Sequence, residues 1–436
     1  MLRGIFIRAF LVLAVPLALL QPFTGVLLYL WYSHARMNDF VWRDYQYLYG
    51  ALLLAVATLV GYFIFELRRS PPRVTNLKLI ILFWIWIALS TAFAASRDLA
   101  IPKLMQFSNI FVMTFLICAV ANSEDRIRKL LYAAALAVGV LGSKGAIDFI
   151  LSGGQAVMKG PGGMMNEENE YALALTMGVA LLLVLARGEP RRWLKIAMYV
   201  MGIGCGITVV GTHSRSGVLG LAAAALLITI YSKRKVLGFI AIGLAAVILF
   251  AYGPKAAVER YETLNTKVTE TDESVIGRLQ AWETAFAMTK AHPLLGVGPL
   301  NFVYQFPYYS AYKPRAPHSA YIGLMAESGI PAMLTFVGIL FGAIGQMWAL
   351  RRQLLRYAGT ARLGIYCLAI QVTLLVYMVP NFFINRQNQD LMYHLVGISA
   401  GLAILGKQRL RELRADEQHE LMERYQPSLE PETVNA

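Results

Sequence analysis

Met333-Leu-Thr-Phe-Val-Gly-Ile-Leu-Phe-Gly-Ala-Ile-Gly-Gln-Met-Trp-Ala-Leu350 carries no charged side chain over eighteen residues and is closed by Arg351-Arg352. A helix of that length rises about 27 Å, close to the thickness of a bilayer's hydrocarbon core. Leu52–Phe65, Leu79–Ala95 and Ile196–Val210 are also free of charge. The chain has 436 residues, 57% of them hydrophobic, and a mean hydropathy of +0.53. These values describe an all-α, polytopic integral membrane protein and exclude an ordinary soluble domain. The first apolar segment has no small-residue cleavage site and reads as a retained span. Cys118, Cys205 and Cys367 fall inside apolar runs, so they read as packing residues and suggest neither a disulfide framework nor a metal knuckle.

The formal net charge of +14 is gathered in short clusters between apolar runs. They are Arg68/Arg69/Arg73/Lys78, Arg126/Arg128/Lys129, Arg187/Arg191/Arg192/Lys195, Lys233/Arg234/Lys235, Arg351/Arg352/Arg356/Arg362 and Lys407/Arg409/Arg411/Arg414. All six can lie on the cytoplasmic side if the chain crosses about twelve times, as the positive-inside rule expects. Both termini are then cytoplasmic. The charge reports topology and a lipid bilayer as partner, not nucleic acid. The expected spans lie near 5–30, 46–66, 77–95, 103–122, 130–151, 170–186, 194–211, 216–232, 236–252, 328–350, 363–383 and 390–406. Pro16 and Pro22 kink or split the first of these, and two full spans there would move the N-terminus to the other side. This gives a transmembrane domain over 1–406 and a charged cytoplasmic tail over 407–436, helical at first and disordered at its end.

Three segments are expected outside the cytoplasm. Ser33–Tyr45 is polar and aromatic; Ser152–Asn169 is rich in turn residues and ends in Asn166-Glu-Glu-Asn169. The largest runs over 253–327, and a loop of that length is usually functional or disordered. Its pattern is ordered. Ser274 is placed to cap a helix in which Val275, Leu279, Trp282 and Phe286 recur at helical spacing. His292-Pro-Leu-Leu-Gly-Val-Gly298 stops that helix, and Tyr304, Phe306, Tyr308, Tyr309 and Tyr312 follow, suited to sugar stacking or to the membrane interface.

Pro314 and Pro317 stiffen the approach to His318, an imidazole at the edge of a span and so a candidate general base. Its bland reading is a loop histidine. Arg215 sits in the tight turn Thr212-His-Ser-Arg-Ser-Gly217 and Arg278 on the loop helix. Arginines at span ends are costly unless they reach water or an anion, and a guanidinium fork suits a phosphate. The plain alternative for each is an ion pair or interfacial anchoring. Lys144 and Arg315 are further cations on the same side. Gly202-Ile-Gly-Cys-Gly206 reads as a close-packing stripe, and Glu270, Asp272 and Glu273 read as charges at a helix N-terminus. The chain has no Asp-X-Asp and no Gly-rich phosphate loop, which argues against a nucleotide-sugar site. Ser214 and Ser216 stand too close to His213 in sequence to align with it as nucleophile and base.

The Thr212–Gly217 turn, Gly277-Arg278, His292-Pro-x-x-Gly296-x-Gly298, His318-Ser-x-Tyr321 and Glu327-x-Gly329 together resemble the O-antigen ligase family. In the first half, Gln21-Pro-Phe-Thr-Gly25, Lys144-Gly145 and Gly160-Pro-Gly162 leading to Asn169 are similar to O-glycosylation ligases found beside exosortase systems. The resemblance implies a multi-pass glycosyltransferase of the bacterial inner membrane, its active site facing the periplasm. It would move glycan from undecaprenyl diphosphate to a hydroxyl of lipid A-core oligosaccharide, inverting, without metal or other cofactor. It places phosphate handling on Arg215 and Arg278 and the essential histidine on His318. Lys144, Arg315, Tyr321 and Glu327 would be further substrate contacts. A protein O-glycan ligase or a glycan polymerase would share the donor. A lipid-linked sugar flippase would share the spans and cations but not the base.

Overall fold

The structure, a computed structural model, describes residues 2–37, 50–66, 77–160, 167–252 and 273–425. All regular structure among them is helical. The helices are α1 (Leu2–Leu20), α2 (Pro22–His34), α3 (Gly50–Gly61, continued by a π-turn Tyr62–Glu66), α4 (Leu77–Ala92), α5 (Arg97–Val120), α6 (Glu124–Leu151) and α7 (Glu168–Ala186). Then follow α8 (Arg192–Gly211), α9 (Arg215–Ile230), α10 (Lys235–Tyr252), α11 (Glu273–Ala291), α12 (Ala320–Leu354), α13 (Ala361–Asn381) and α14 (Asp390–Tyr425). By length and composition α5, α6, α7, α8, α12 and α13 can cross a membrane, and shorter apolar helices accompany them. The architecture is that of a helical membrane protein. Parts of the three outer segments, 38–49, 161–166 and 253–272, fall outside the described residues, as do much of the first basic cluster and the end of the tail.

The apolar segment 5–30 is two helices and not one span. Gln21 leaves helical geometry at φ −130° and ψ 85°, and Pro22 opens α2, where its missing N–H costs nothing. α1 folds back along α2: Phe10 stacks on Tyr32 with ring centroids 6.0 Å apart, and a Cβ on Gly25 would fall on Ala18. The start of α1 therefore shares the bundle end of His34, and an N-terminus beside the basic clusters does not hold.

The basic clusters themselves meet at the opposite end. Arg126 pairs with Glu66 at 3.2 Å and Arg362 with Glu124 at 3.7 Å. Arg187 donates to the carbonyls of Ile228 and Tyr231, and the Arg351 guanidinium lies over the Tyr231 ring. Between the two ends the helices pack closely. α7 is buried along nearly its whole length. α6 and α8 approach through glycines: a Cβ on Gly142 would meet Cys205, and one on Gly145 would meet Thr208. In the Gly202–Gly206 stripe, Gly202 fits against Leu183 and Gly204 against Ser143, while Gly206 faces open space. Without water to drive association, such close van der Waals contact is what holds helices together in lipid. All three cysteines are buried and free.

The span expected over 328–350 begins earlier and breaks. Ser319 caps α12, its Oγ accepting from the Ile322 amide at 3.4 Å. At Gly329 the backbone takes φ 85° and ψ 167°, a conformation open in practice to glycine alone. The chain 293–298 clasps that break: Val297 N donates to Ala326 O (3.0 Å), Gly298 N to Glu327 O (2.8 Å) and Ile330 N to Pro293 O (2.9 Å). From α4, Ser90 Oγ donates to Leu295 O (2.7 Å) and Trp86 Nε1 to Leu294 O (2.9 Å). The two glycine motifs of this region are thus halves of one device. A Cβ at Gly329 would strike the Leu294 carbonyl. Gly329→Ala should cost about 1–3 kcal/mol in backbone strain, with the clash added. Thermal unfolding of the purified variant should shift down by several degrees, and an unshifted transition would show that the clasp relaxes.

The helix expected after Ser274 is present as α11, which begins at Glu273. Its buried face differs. Leu279 and Phe286 are 57% and 54% exposed, whereas Gly277, Ala281, Ala285 and Met288 are buried. These small residues let α11 lie close on Ile322 and Ala326 of α12, in a second small core completed by Val297, Phe302 and Phe306. Trp282, half-buried, packs at its margin. At the far end, the expected span 390–406 and the start of the tail are one continuous helix, α14.

Candidate functional site

At the bundle end away from the basic clusters lies a cavity of about 560 Å³. Arg215, Arg278, Lys313, Arg315 and His318 line it, together with Glu168, Asn169, Pro314, Gly277 and the turn residues His213, Ser214 and Ser216. Four cationic side chains face one carboxylate.

The turn between α8 and α9 is rigid for reasons that can be named. Thr212 ends α8, and its Oγ1 accepts from the Ser214 amide. His213 takes the left-handed conformation at φ 54°. Ser214 then caps α9: its Oγ accepts from Gly217 N at 3.1 Å and donates to Asn169 Oδ1 at 2.6 Å. Capping occupies this hydroxyl, which counts further against a serine nucleophile. Arg215 becomes the first residue of α9, where the helix dipole is positive and an anion is favoured.

Arg278 stands on α11, one residue after a glycine with a spatial reason. A Cβ on Gly277 would fall on the Arg315 guanidinium, so the absent side chain lets Arg315 cross α11 beside Arg278. His318 is held from three sides. Trp282 Nε1 donates to Pro317 O at 2.8 Å, Pro317 packs where Gly323 has no side chain, and Ser319 starts α12. His318 itself is left-handed at φ 43°. Non-glycine residues seldom take this conformation, and such strain clusters at functional sites. Burial lowers the pKa of His318 below the ordinary histidine value; the Arg278 cation lowers it further and Glu167 opposes. The imidazole is therefore neutral at pH 7, with a lone pair to accept a proton.

Three residues expected as substrate contacts lie outside the lining. Lys144 forms an i,i+4 ion pair with Asp148 at 2.8 Å, both about half exposed. The Tyr321 hydroxyl donates to Met378 O at 3.2 Å, and its ring packs against Phe336 and Phe382. Glu327, 4% exposed, sits in the clasp, where the amides of Leu300 and Phe302 face its carboxyl and Lys103 is its neighbour. Conversely, sequence reasoning did not assign Glu168, Asn169, His213 or Lys313 to a site. The polar run just ahead of the apolar helix α7 was the available signal. It also missed the polar connector 382–389, whose Arg386 pairs with Glu170 and is pushed down to about 10 by burial. Among the described residues, no group of three or more His, Cys, Asp or Glu side chains could hold a metal ion. What the cavity can do is hold a multiply charged anion beside a neutral base.

Residues 200–337 match the family described as O-antigen ligase. Residues 2–187 match a family of unknown function (DUF5935). None of the curated proteins compared with the chain matches it. The first matched region holds Arg215, Arg278, Arg315 and His318 and both halves of the glycine clasp. Over that region, residues 200–337, the chain is similar to the O-antigen ligase family.

Proposed function

We propose that this membrane enzyme transfers a preassembled glycan from undecaprenyl diphosphate to a hydroxyl of lipid A-core oligosaccharide. His318 accepts the proton of that hydroxyl as its oxygen bonds to the anomeric carbon. The bond from that carbon to the diphosphate oxygen breaks, and its electron pair leaves with the diphosphate. Attack from the opposite face inverts the configuration. Arg215, Arg278 and Arg315 take up the charge that develops on the leaving group, where preorganised donors lower a barrier most. No metal is required in this scheme. The observation that carries the reading is a cavity in which three arginines and a lysine surround a neutral imidazole. Its size suits a diphosphate with its first sugar.

In this reading the cavity faces the periplasm of a bacterial inner membrane, because the basic clusters gather at the other end. A cysteine at Tyr308, 74% exposed on the cavity end, should react with an impermeant thiol reagent in intact spheroplasts. The buried native cysteines keep the background low. Labelling only after lysis would reverse the orientation.

A protein hydroxyl is the second acceptor, favoured by the likeness of the first-half motifs to O-glycosylation ligases. The deciding experiment offers purified enzyme and lipid-linked glycan with lipid A-core, a protein acceptor and a second lipid-linked glycan side by side. Transfer to lipid A-core is expected. Transfer to protein alone selects the second reading, and transfer to none of them removes the ligase reading.

A further inference from the structure

We propose that the chain pairs with a second copy of itself through a membrane-facing groove between α3 and α5, at a two-fold axis marked by Asn109. The groove, about 430 Å³, is lined among others by Ala51, Leu52, Ala55 and Val56 of α3 and Asn109 and Val112 of α5. It shares no lining residue with the cavity described above, and the proposal is independent of the proposed reaction.

The polar side chains of α5 carry the argument. Ser108 accepts from Trp84 Nε1 at 2.8 Å and Gln106 Oε1 accepts from Asn388 at 2.7 Å. Thr114 donates to the Ile110 carbonyl at 2.8 Å, and Lys103 lies over the Phe107 ring with Glu327 as neighbour. Asn109 alone among them is exposed and has no partner among the described residues. It sits halfway along a 24-residue helix, about 18 Å from its start. At that depth no water is present, and an unpaired amide costs several kcal/mol in hydrocarbon. Lipid headgroups and esters lie too near the surface to reach it. The group that satisfies it therefore comes from another transmembrane helix.

A primary amide is self-complementary, since each copy can donate to and accept from its twin across a two-fold axis. The surroundings fit such an approach. Ala51 and Ala55 make a small-xxx-small face that lets a helix come close. Leu52, Val56 and Val112, exposed by 47%, 51% and 41%, wall the groove and offer apolar area for the partner to cover.

The test uses the full chain reconstituted in bilayers, with the dimer fraction read by single-molecule photobleaching over a range of protein-to-lipid ratios. Asn109→Leu should weaken dimerisation by roughly tenfold, as expected for interhelical hydrogen bonds in lipid. Ala55→Trp, which fills the groove, should abolish it. Leu226→Trp, on the exposed face of α9, should leave it unchanged. A parent protein that is monomeric at every ratio overturns the proposal. So does a dimer that fails to respond to either groove variant, or that responds equally to Leu226→Trp.

Discussion

Arg278→Lys should lower glycan transfer by about 10²-fold, and Arg215→Lys should do the same, with membrane abundance unchanged. Both substitutions keep the charge and lose the planar fork that donates two hydrogen bonds to one phosphate. Removing one preorganised donor from a developing oxyanion typically costs 10²–10³ in rate. Neither arginine is needed for folding in an obvious way: both are partly exposed on the cavity wall, Arg215 at the first turn of α9 and Arg278 on α11. Lys144→Met is the matched control. Its charge sits in an exposed i,i+4 pair outside the cavity, and such pairs contribute little. It should leave transfer within about twofold, because an exposed pair is worth less than 1 kcal/mol. Full activity of both lysine variants would leave the diphosphate role without support.

The chain's helices and its cavity were legible in its sequence to different depths. Uncharged runs bounded by arginines revealed most helices, because burial in lipid leaves no alternative to a satisfied backbone. They could not reveal the fold-back at Gln21, since a proline pair marks a break but not its angle. Nor could hydropathy show that α11 buries Gly277, Ala281 and Ala285 and exposes Leu279 and Phe286. Large apolar residues read as core only when the partner surface is water-excluding, and beside a membrane the larger residues can face outward. At the cavity, residue type pointed to Arg215, Arg278, Arg315 and His318, since a cation or an imidazole at the rim of a span needs a reason to be there. Glu168 and Asn169 escaped because one polar run before a helix looks like any N-terminus. Glu327 is a case in the other direction: the resemblance of Glu327-x-Gly329 makes it a substrate contact, while its surroundings are backbone amides and Lys103. Sequence adjacency cannot tell a residue that faces a cavity from one that sits two helical turns beneath it.

His318→Asn should lower transfer by roughly 10²–10⁴-fold, the range for loss of a general base. Asparagine is the better test than alanine. His318 sits at φ 43°, where asparagine is tolerated and alanine is strained, so His318→Ala risks confounding chemistry with a displaced loop. Donor binding should persist in His318→Asn, because the arginines remain, and the variant should hold lipid-linked glycan without releasing free polyprenyl diphosphate. The parent's rate should rise with pH and level off, since only neutral imidazole accepts a proton. Burial and Arg278 lower the His318 pKa, so the plateau should begin at a lower pH than for an ordinary histidine. Arg278→Gln removes that cation and should move the acid limb of the residual activity to higher pH, whereas Arg278→Lys should leave it in place. A limb that ignores Arg278→Gln would separate the titrating group from His318. Transfer retained by His318→Asn would remove the imidazole from the chemistry altogether and leave a cationic cavity without a base, which is what a transporter of lipid-linked sugar would need.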